Sequence, residues 1–288
     1  MKERVQFQDM NLLWGEHIRQ SESARMTDDE VEREFWRGFM RRKEDYAPEA
    51  SSRQVVEKLL LPLLRKHQIE TALEWGPGWG HYTIDLAKFC REVDCVDISR
   101  DVLDFILRIG AEQGCKNLNA VQAKWEDFEP ERSYDLVFGY NCFYRQENLA
   151  ECFARMDRVA DRLCVAGMNN GLAPTWVCEM EKAGAQVRWE WKDYIYFVGV
   201  LYQMGIDPNL TILPFTKTIR YPNEEAMVKG ECTRCAPGSI RHSDALDILK
   251  RFFDQQPDGS WQAAAEFHSG IVWWVPLHLS AHPKCGVL

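Results

Sequence analysis

Residues 71–88 read "TALEWGPGWGHYTIDLAK": a short apolar run, glycines at 76, 78 and 80, then a segment of helical periodicity. A chain that passes this abruptly from strand to helix needs residues free to take positive φ, and glycine does so with no Cβ in the way. Such a turn also gathers backbone N–H groups near a helix start, where a ligand can lie close to the main chain. The spacing G-x-G-x-G departs from the dinucleotide fingerprint G-x-G-x-x-G, whose last glycine lies one turn into a helix aimed at a pyrophosphate. Glu74 stands directly before the turn, badly placed against a phosphate and well placed for an amino group or a hydroxyl.

Outward from that turn, short apolar strands alternate with amphipathic helices, the pattern of a parallel sheet covered on both faces. The strands are expected at "ETALEW", "EVDCVDI", "NLNAVQA", "YDLVFGY" and "RLCVAGM", with helices at "HYTIDLAKFC", "SRDVLDFILRIGAEQG" and "QENLAECFARMDRVA" between them. Asp97 ends the second strand, 19 residues after Gly78, where an acid can accept both hydroxyls of a ribose. Ser99 is placed to cap the helix that follows. After the third strand, "KWEDFEP" offers Trp125 as a wall for a purine and Glu126 or a neighbouring amide for its edge. "GYNCFYR", after the fourth, lines the crevice at the carboxyl ends of the strands, the usual ligand site in open sheets.

This set of motifs resembles the class I S-adenosylmethionine-dependent methyltransferase family, over "ALEWGPGWGHYTIDLA", "VDCVDIS" and "WEDFEPERSYDLVFGYN", roughly residues 69 to 168. The resemblance implies an α/β fold with an open, mostly parallel, seven-stranded doubly wound sheet. It implies S-adenosyl-L-methionine as cofactor and methyl transfer as activity. Glu74 and the backbone of Gly76, Pro77 and Gly78 would serve the methionine portion and Asp97, with Ile98 beside it, the ribose. Trp125 and Glu126 would flank the adenine, and Asn141 would line the crevice. Lys124 departs from the pattern, since many members carry an acid there.

Ahead of the sheet, "TDDEVEREFWRGFMRRKE" reads as a helix with Thr27 as N-cap, Glu30 completing a capping box and Arg41, Arg42 and Lys43 in its last turn. Val31, Phe35, Trp36, Phe39 and Met40 share one face, so this helix docks on something. A second helix, "SSRQVVEKLLLPLLRKH", follows the link "DYAPEA". Residues 1–68 are expected to form a helical lid packed on a methyltransferase domain of residues 69–288, with Tyr46 folding over the cofactor's carboxylate. His81, at the start of the helix after the turn, is expected to cap or support it; Tyr144 is placed near a methyl acceptor.

Beyond residue 169 the pattern predicts an apolar helix near 193–205, a strand near 209–221, an irregular insertion, and a last strand in "EFHSGIVWWVPL". The insertions near 170–208 and 222–262 are rich in aromatics and are expected to roof the cleft.

The whole chain sets the outer bounds. Its 288 residues, 45% of them hydrophobic, can bury a large core, and a net charge of −9 repels nucleic acid and anionic membrane more than it attracts them. A small-molecule acceptor suits that balance better than nucleic acid does. No segment reads as a secretory signal or a membrane span, so a cytoplasmic protein is expected. Ten cysteines scattered over strands and helices suit reduced thiols rather than a disulfide framework. Cys232 and Cys235 stand at metal-ligand spacing, as do His282 and Cys285, 47 residues beyond Cys235, but the pairs are separated by a strand and no metal is assigned.

The resemblance implies no obligatory catalytic side chain. The alternatives are a nicotinamide-dependent oxidoreductase on the same topology and a non-catalytic S-adenosylmethionine-binding subunit. The missing third glycine of the dinucleotide pattern argues against the first.

Overall fold

The structure is a computed structural model that describes residues 8–20, 23–42, 46–170, 173–187 and 194–279. The chain divides into two compact units. The first comprises Met1–Met168, Lys192–Leu213 and Gly270–Leu288, and the second Asn169–Trp191 and Pro214–Ser269.

The first unit opens with three helices: α1 (Met10–Arg19), α2 (Ala24–Thr27) and α3 (Asp29–Arg41). Asp28, rather than Thr27, is the N-cap of α3, its carboxylate accepting from Glu30 N at 2.8 Å and Val31 N at 3.2 Å. The run T-D-D-E offers adjacent capping side chains, and Thr27 is spent in closing α2, leaving Asp28 extended at φ −110°. Residues 50–66 form one continuous rod made of α4 (Ala50–Val55), a π-helical stretch (Val56–Leu60) and α5 (Leu61–Lys66). Pro62 lacks an N–H and its ring crowds the preceding turn, so the helix widens there rather than breaking.

Then the alternation begins: β1 (Thr71–Trp75), α6 (Thr83–Phe89), β2 (Glu92–Asp97), α7 (Arg100–Glu112), β3 (Leu118–Gln122), β4 (Tyr134–Tyr140), α8 (Leu149–Val159) and β5 (Ala160–Asn170). Ser99 caps α7 as expected, accepting from Val102 N at 3.4 Å. The later elements are α9 (Thr175–Lys182), α10 (Tyr194–Gln203), β6 (Asn209–Tyr221), α11 (Glu224–Cys232), α12 (His242–Leu249), β7 (Asp254–Gln255) and β8 (Trp261–Trp274). The sheet order is β3-β2-β1-β4-β5-β8-β6, with the two-residue β7 pairing β8 antiparallel. β1 pairs parallel with both β2 and β4, β2 with β3, and β4 with β5. This is the mostly parallel α/β sheet expected, seven strands along its path and β7 beside it.

Ala72, Leu73, Leu136, Val137, Leu163 and Cys164 are wholly buried, since helices cover both faces of the central strands. The order reverses between β1 and β4, and a crevice opens beyond their carboxyl ends.

In the second unit, α9, α11 and α12 pack Trp176, Met180, Met227 and Leu249 against Phe253 and Trp261. The segment 222–262, expected to be irregular, therefore carries two helices and a short antiparallel pair. Its buried Glu231 accepts from Trp176 Nε1 at 2.9 Å and from the Tyr221 hydroxyl at 2.7 Å. Among the described residues no helix is long and apolar enough to cross a membrane.

Candidate functional site

Four strand ends build one cleft in the first unit. β1 contributes Trp75 and Gly76; β2, Asp97 and Ile98; the loop after β3, Ala123, Lys124, Trp125 and Glu126. From the loop after β4 come Asn141, Cys142, Tyr144, Arg145 and Gln146, and α3 adds Glu32 and Trp36, around a cavity of about 70 Å³.

The glycine turn has three positive φ values, 63° at Gly76, 56° at Gly78 and 84° at Gly80, and the Gly80 N–H donates to the Pro77 carbonyl at 3.0 Å. Their missing Cβ atoms serve different neighbours. At Gly80 a Cβ would meet Ile109 and Ile106 of α7, at 2.8 and 3.0 Å, whereas at Gly78 it would face only Trp36 Cη2, at 3.4 Å. Gly80 thus lets the turn pack on α7, while Gly78 presents bare backbone beneath α3.

Of the residues singled out from sequence, Gly76, Asp97, Ile98, Trp125, Glu126 and Asn141 line this cleft together. Tyr46, Glu74, Pro77 and Gly78 are not among its lining residues: Pro77 and Gly78 belong to the glycine turn, and Glu74 is buried within β1. Tyr46 Cε2 sits 3.7 Å from where a Gly80 Cβ would be, and burial, with Asp85 and Glu74 nearby, pushes its phenol pKa up. Pro77 is buried within the turn. His81 accepts from Glu49 N at 3.4 Å, joining the start of the rod to the turn.

Glu74 is 1% exposed, and burial, with the nearby charge of Asp97 acting in the same direction, pushes its carboxyl up to about 8. Its Oε2 lies 4.0 Å from the Cys95 thiol. Asp97 is pushed up to about 7, again chiefly by burial; the Ser99 N–H donating to Oδ1 at 2.8 Å lowers it and the nearby Glu32 raises it. Two acids, each poised near neutrality, stand at neighbouring strand ends. The low-dielectric surroundings that shift them would strongly favour a cation or paired hydroxyls.

Trp125 stacks on Trp75, centroids 4.8 Å apart at 19°, so one ring face is covered by the protein itself. Glu126 is exposed and accepts from Gln146 Nε2 at 3.3 Å. Lys124, placed where an acid is common, pairs with Asp29 at 3.3 Å and Glu126 at 3.7 Å. Asn141 takes a left-handed φ of 53°, unusual for a residue other than glycine, and its N–H donates to the Gly167 carbonyl at 2.9 Å.

The sequence reading missed Glu32 as a member of the site and gave Trp36 only a place on an apolar face. Trp36 packs edge-on to Phe39, and Phe39 edge-on to Trp79 within the glycine turn, at 5.6 and 5.9 Å. The apolar stripe of α3 announced docking; its target was hidden because Trp79 looks like one tryptophan among eleven. Cys232 and Cys235 are thiols, His282 and Cys285 lie outside the described residues, and among the described residues no group of three metal-ligating side chains gathers.

The family profile for a methyltransferase domain matches residues 72–162. Among solved structures the chain is similar to magnesium protoporphyrin IX methyltransferase from Synechocystis PCC 6803 with bound SAH. The identity is 14% and the TM-score 0.50, over 86% of this chain and 99% of that one, a likeness of fold. It is also similar to a SAM-dependent methyltransferase from Aquifex aeolicus, at 11% identity and TM-score 0.46, over 83% of this chain and 98% of that one. The N-methyltransferase of Bradyrhizobium japonicum WM9 gives 12% identity and TM-score 0.43, over 79% of this chain and 98% of that one. No curated protein sequence matches the chain.

Proposed function

We propose, for a chain whose residues 72–162 match a methyltransferase domain, that the cleft binds S-adenosylmethionine and that the protein transfers a methyl group to a small-molecule acceptor. The observation that carries this reading is the pair of buried acids, Glu74 and Asp97, at the ends of adjacent parallel strands beside a glycine turn.

The residues suit that cofactor. Glu74, neutral or charged near pH 7, fits the ammonium of an amino acid, and the bare backbone at Gly78 allows close approach to its main-chain-like end. Asp97 accepts from Ser99 N through Oδ1, which leaves Oδ2 for the two hydroxyls of a ribose. Ile98 and the loop from Ala123 to Glu126 offer an apolar wall and polar edge for a purine. Tyr46 stands near the glycine turn, where the carboxylate of the methionine portion would lie.

When bound, S-adenosylmethionine supplies a methyl group on a sulfonium, already attached to a good leaving group. The chain's part is therefore positional: holding donor and acceptor in line and excluding water. Asn141, fixed in its left-handed backbone by the bond to Gly167, presents a rigid edge at the end of β4. Tyr144 has its phenol pKa pushed up by burial and by Glu32, so it holds its proton at neutral pH and cannot act as base. Amine acceptors lose their proton after attack and thiolates need no base, so transfer to either requires no side chain to titrate.

Calorimetric titration with S-adenosylmethionine, S-adenosylhomocysteine and NAD tests the reading. Both sulfur compounds should bind and NAD should not; tighter binding of NAD would overturn it. Turnover against a panel of amine, thiol and phenol acceptors then separates an enzyme from a binding subunit.

A further inference from the structure

One buried carboxylate gathers side chains from both sides of the cleft. Glu32 is 1% exposed and lines the same space as Gly76 and Asp97. It accepts from Arg25 Nε at 2.8 Å, from a second Arg25 nitrogen at 3.2 Å, from Trp36 Nε1 at 2.7 Å, and from the Tyr144 hydroxyl. Arg25, Glu32 and Trp36 belong to α2 and α3, whereas Tyr144 belongs to the loop after β4. The Tyr144–Glu32 bond therefore joins the N-terminal helices to the sheet. Arg145 repeats the connection by donating to the Arg25 carbonyl and the Asp29 carboxylate, and to the Asp28 carbonyl at 3.3 Å.

Packing alone does not require this arrangement. α3 rests on the glycine turn through the aromatic chain Trp36, Phe39 and Trp79, and faces α7 through a half-exposed Arg37–Asp101 pair at 3.5 Å. Burying a carboxylate is costly unless it is paired and hydrogen-bonded, and placing it near Asp97 adds like-charge repulsion. That cost falls where α3 lines the cleft. There Trp36 lies 3.4 Å from the position of a Gly78 Cβ.

We propose that Glu32 is a positioning residue of the cofactor cleft: it draws Arg25, Trp36 and Tyr144 into a latch that closes α3 over the cleft and sets the rate of cofactor exchange. The proposal rests on the methyltransferase reading and deepens it. Hydrogen bonds to one buried charge act as a unit, because removing any donor leaves the carboxylate less satisfied and the others weaker. Opening the cleft must break the Tyr144–Glu32 bond, the Arg25 bond to the Tyr144 hydroxyl at 3.3 Å and the Arg145 contacts, while Arg25 and Trp36 travel with α3.

The test is surface plasmon resonance on the full chain, with S-adenosylhomocysteine as probe, for wild type, Glu32→Gln, Tyr144→Phe and the double variant. Arg33→Ala serves as control: this partly exposed α3 side chain lies outside the cleft lining and pairs with Glu30 at 3.3 Å. In each single variant the dissociation rate should rise about tenfold or more, as loss of a hydrogen bond to a charged group implies, with the association rate equal or faster. The double variant should dissociate no faster than the quicker single, and Arg33→Ala should match wild type. Damage to the fold would instead slow association and lower the melting temperature. If Glu32→Gln does not fold, Tyr144→Phe decides alone, since it leaves the Arg25–Glu32 pair in place. Unchanged dissociation, slower association, or multiplying effects in the double variant overturn the latch. Failure of wild type to bind the probe at all overturns the methyltransferase reading, and the latch with it.

Discussion

A Cβ placed on Gly76 would stand 2.5 Å from the Cβ of Cys142, so the glycine turn after β1 and the loop after β4 are docked through a missing methyl group. The contact spans the point where the strand order reverses and fixes Asn141, one residue before Cys142, against the turn. Gly76 also has a φ of 63°, where a side chain is strained whatever the space. Gly76→Ala should therefore lose about 1–3 kcal/mol by overpacking, read as a lower midpoint of denaturant unfolding. Adding Cys142→Gly should recover part of that loss by removing the opposing Cβ. An alanine variant as stable as wild type would mean that the two loops separate at no cost.

Asp97 should prove dispensable for folding and necessary for binding. Its carboxyl is raised to about 7, so above that pH the folded chain holds a buried charge it would rather not carry. Asp97→Asn should match or exceed wild-type stability at pH 8, yet weaken S-adenosylmethionine binding by about 1.5–3 kcal/mol, the range for hydrogen bonds to a charged group. Calorimetry and a thermal melt on the same sample separate the effects. Unaltered affinity would put the ribose elsewhere.

The pH dependence follows from Glu74. Its folded value, about 8, lies above the ordinary 4.5, so the folded state binds the extra proton. The stability this contributes is fully present below about 4.5 and is lost as pH rises through about 8; Asp97 acts in the same direction up to about 7. A ligand that brings an ammonium reverses the preference by favouring the ionised carboxylate. Binding of S-adenosylhomocysteine at pH 7 should therefore release protons, seen as a dependence of the measured enthalpy on buffer ionisation heat, and affinity should strengthen from pH 6 towards 8. Glu74→Gln should remove most of the proton release. An enthalpy identical in all buffers would place the ammonium away from Glu74.

The central strands were legible because they are buried on both faces and read as mainly apolar runs closed by a turn residue, as in "YDLVFGY". Asp97 and Glu74 were legible because an acid at the end of such a run stands out. Glu32 carried no comparable signal: it is one of three acids in the first turn of α3, alike in sequence, and only the fold turns it inward. α1 escaped notice because Asp9, its cap, precedes a segment with little contrast between faces, and α11 and α12 because "CTRCAPGS" between them reads as loop. The π-helical stretch before Pro62 depends on how a rod absorbs a lost donor, and proline alone predicts either a break or a bend.

The N-terminal helices should behave as a lid integral to the first unit rather than as a separable domain. Trp14 is fully buried, donates from Nε1 to the Gln146 carbonyl at 2.6 Å, and meets Tyr196 and Phe197 edge-on at 5.6 and 5.9 Å. Gln146 closes the loop that carries Tyr144 and lines the cleft, so α1 is tied to that loop while α3 lends the cleft Glu32 and Trp36. Trp14→Ala should cost about 3–5 kcal/mol, the range for emptying a buried aromatic position. Deleting residues 1–46 removes that anchor together with Trp36 and Tyr46; the remainder should be poorly soluble and bind S-adenosylhomocysteine weakly. In the full chain the same ligand should slow hydrogen exchange across residues 29–41, because opening α3 then also exposes bound cofactor. A truncated protein that stays soluble and binds with unchanged affinity would sink the lid and, with it, the place of Tyr46 beside the glycine turn.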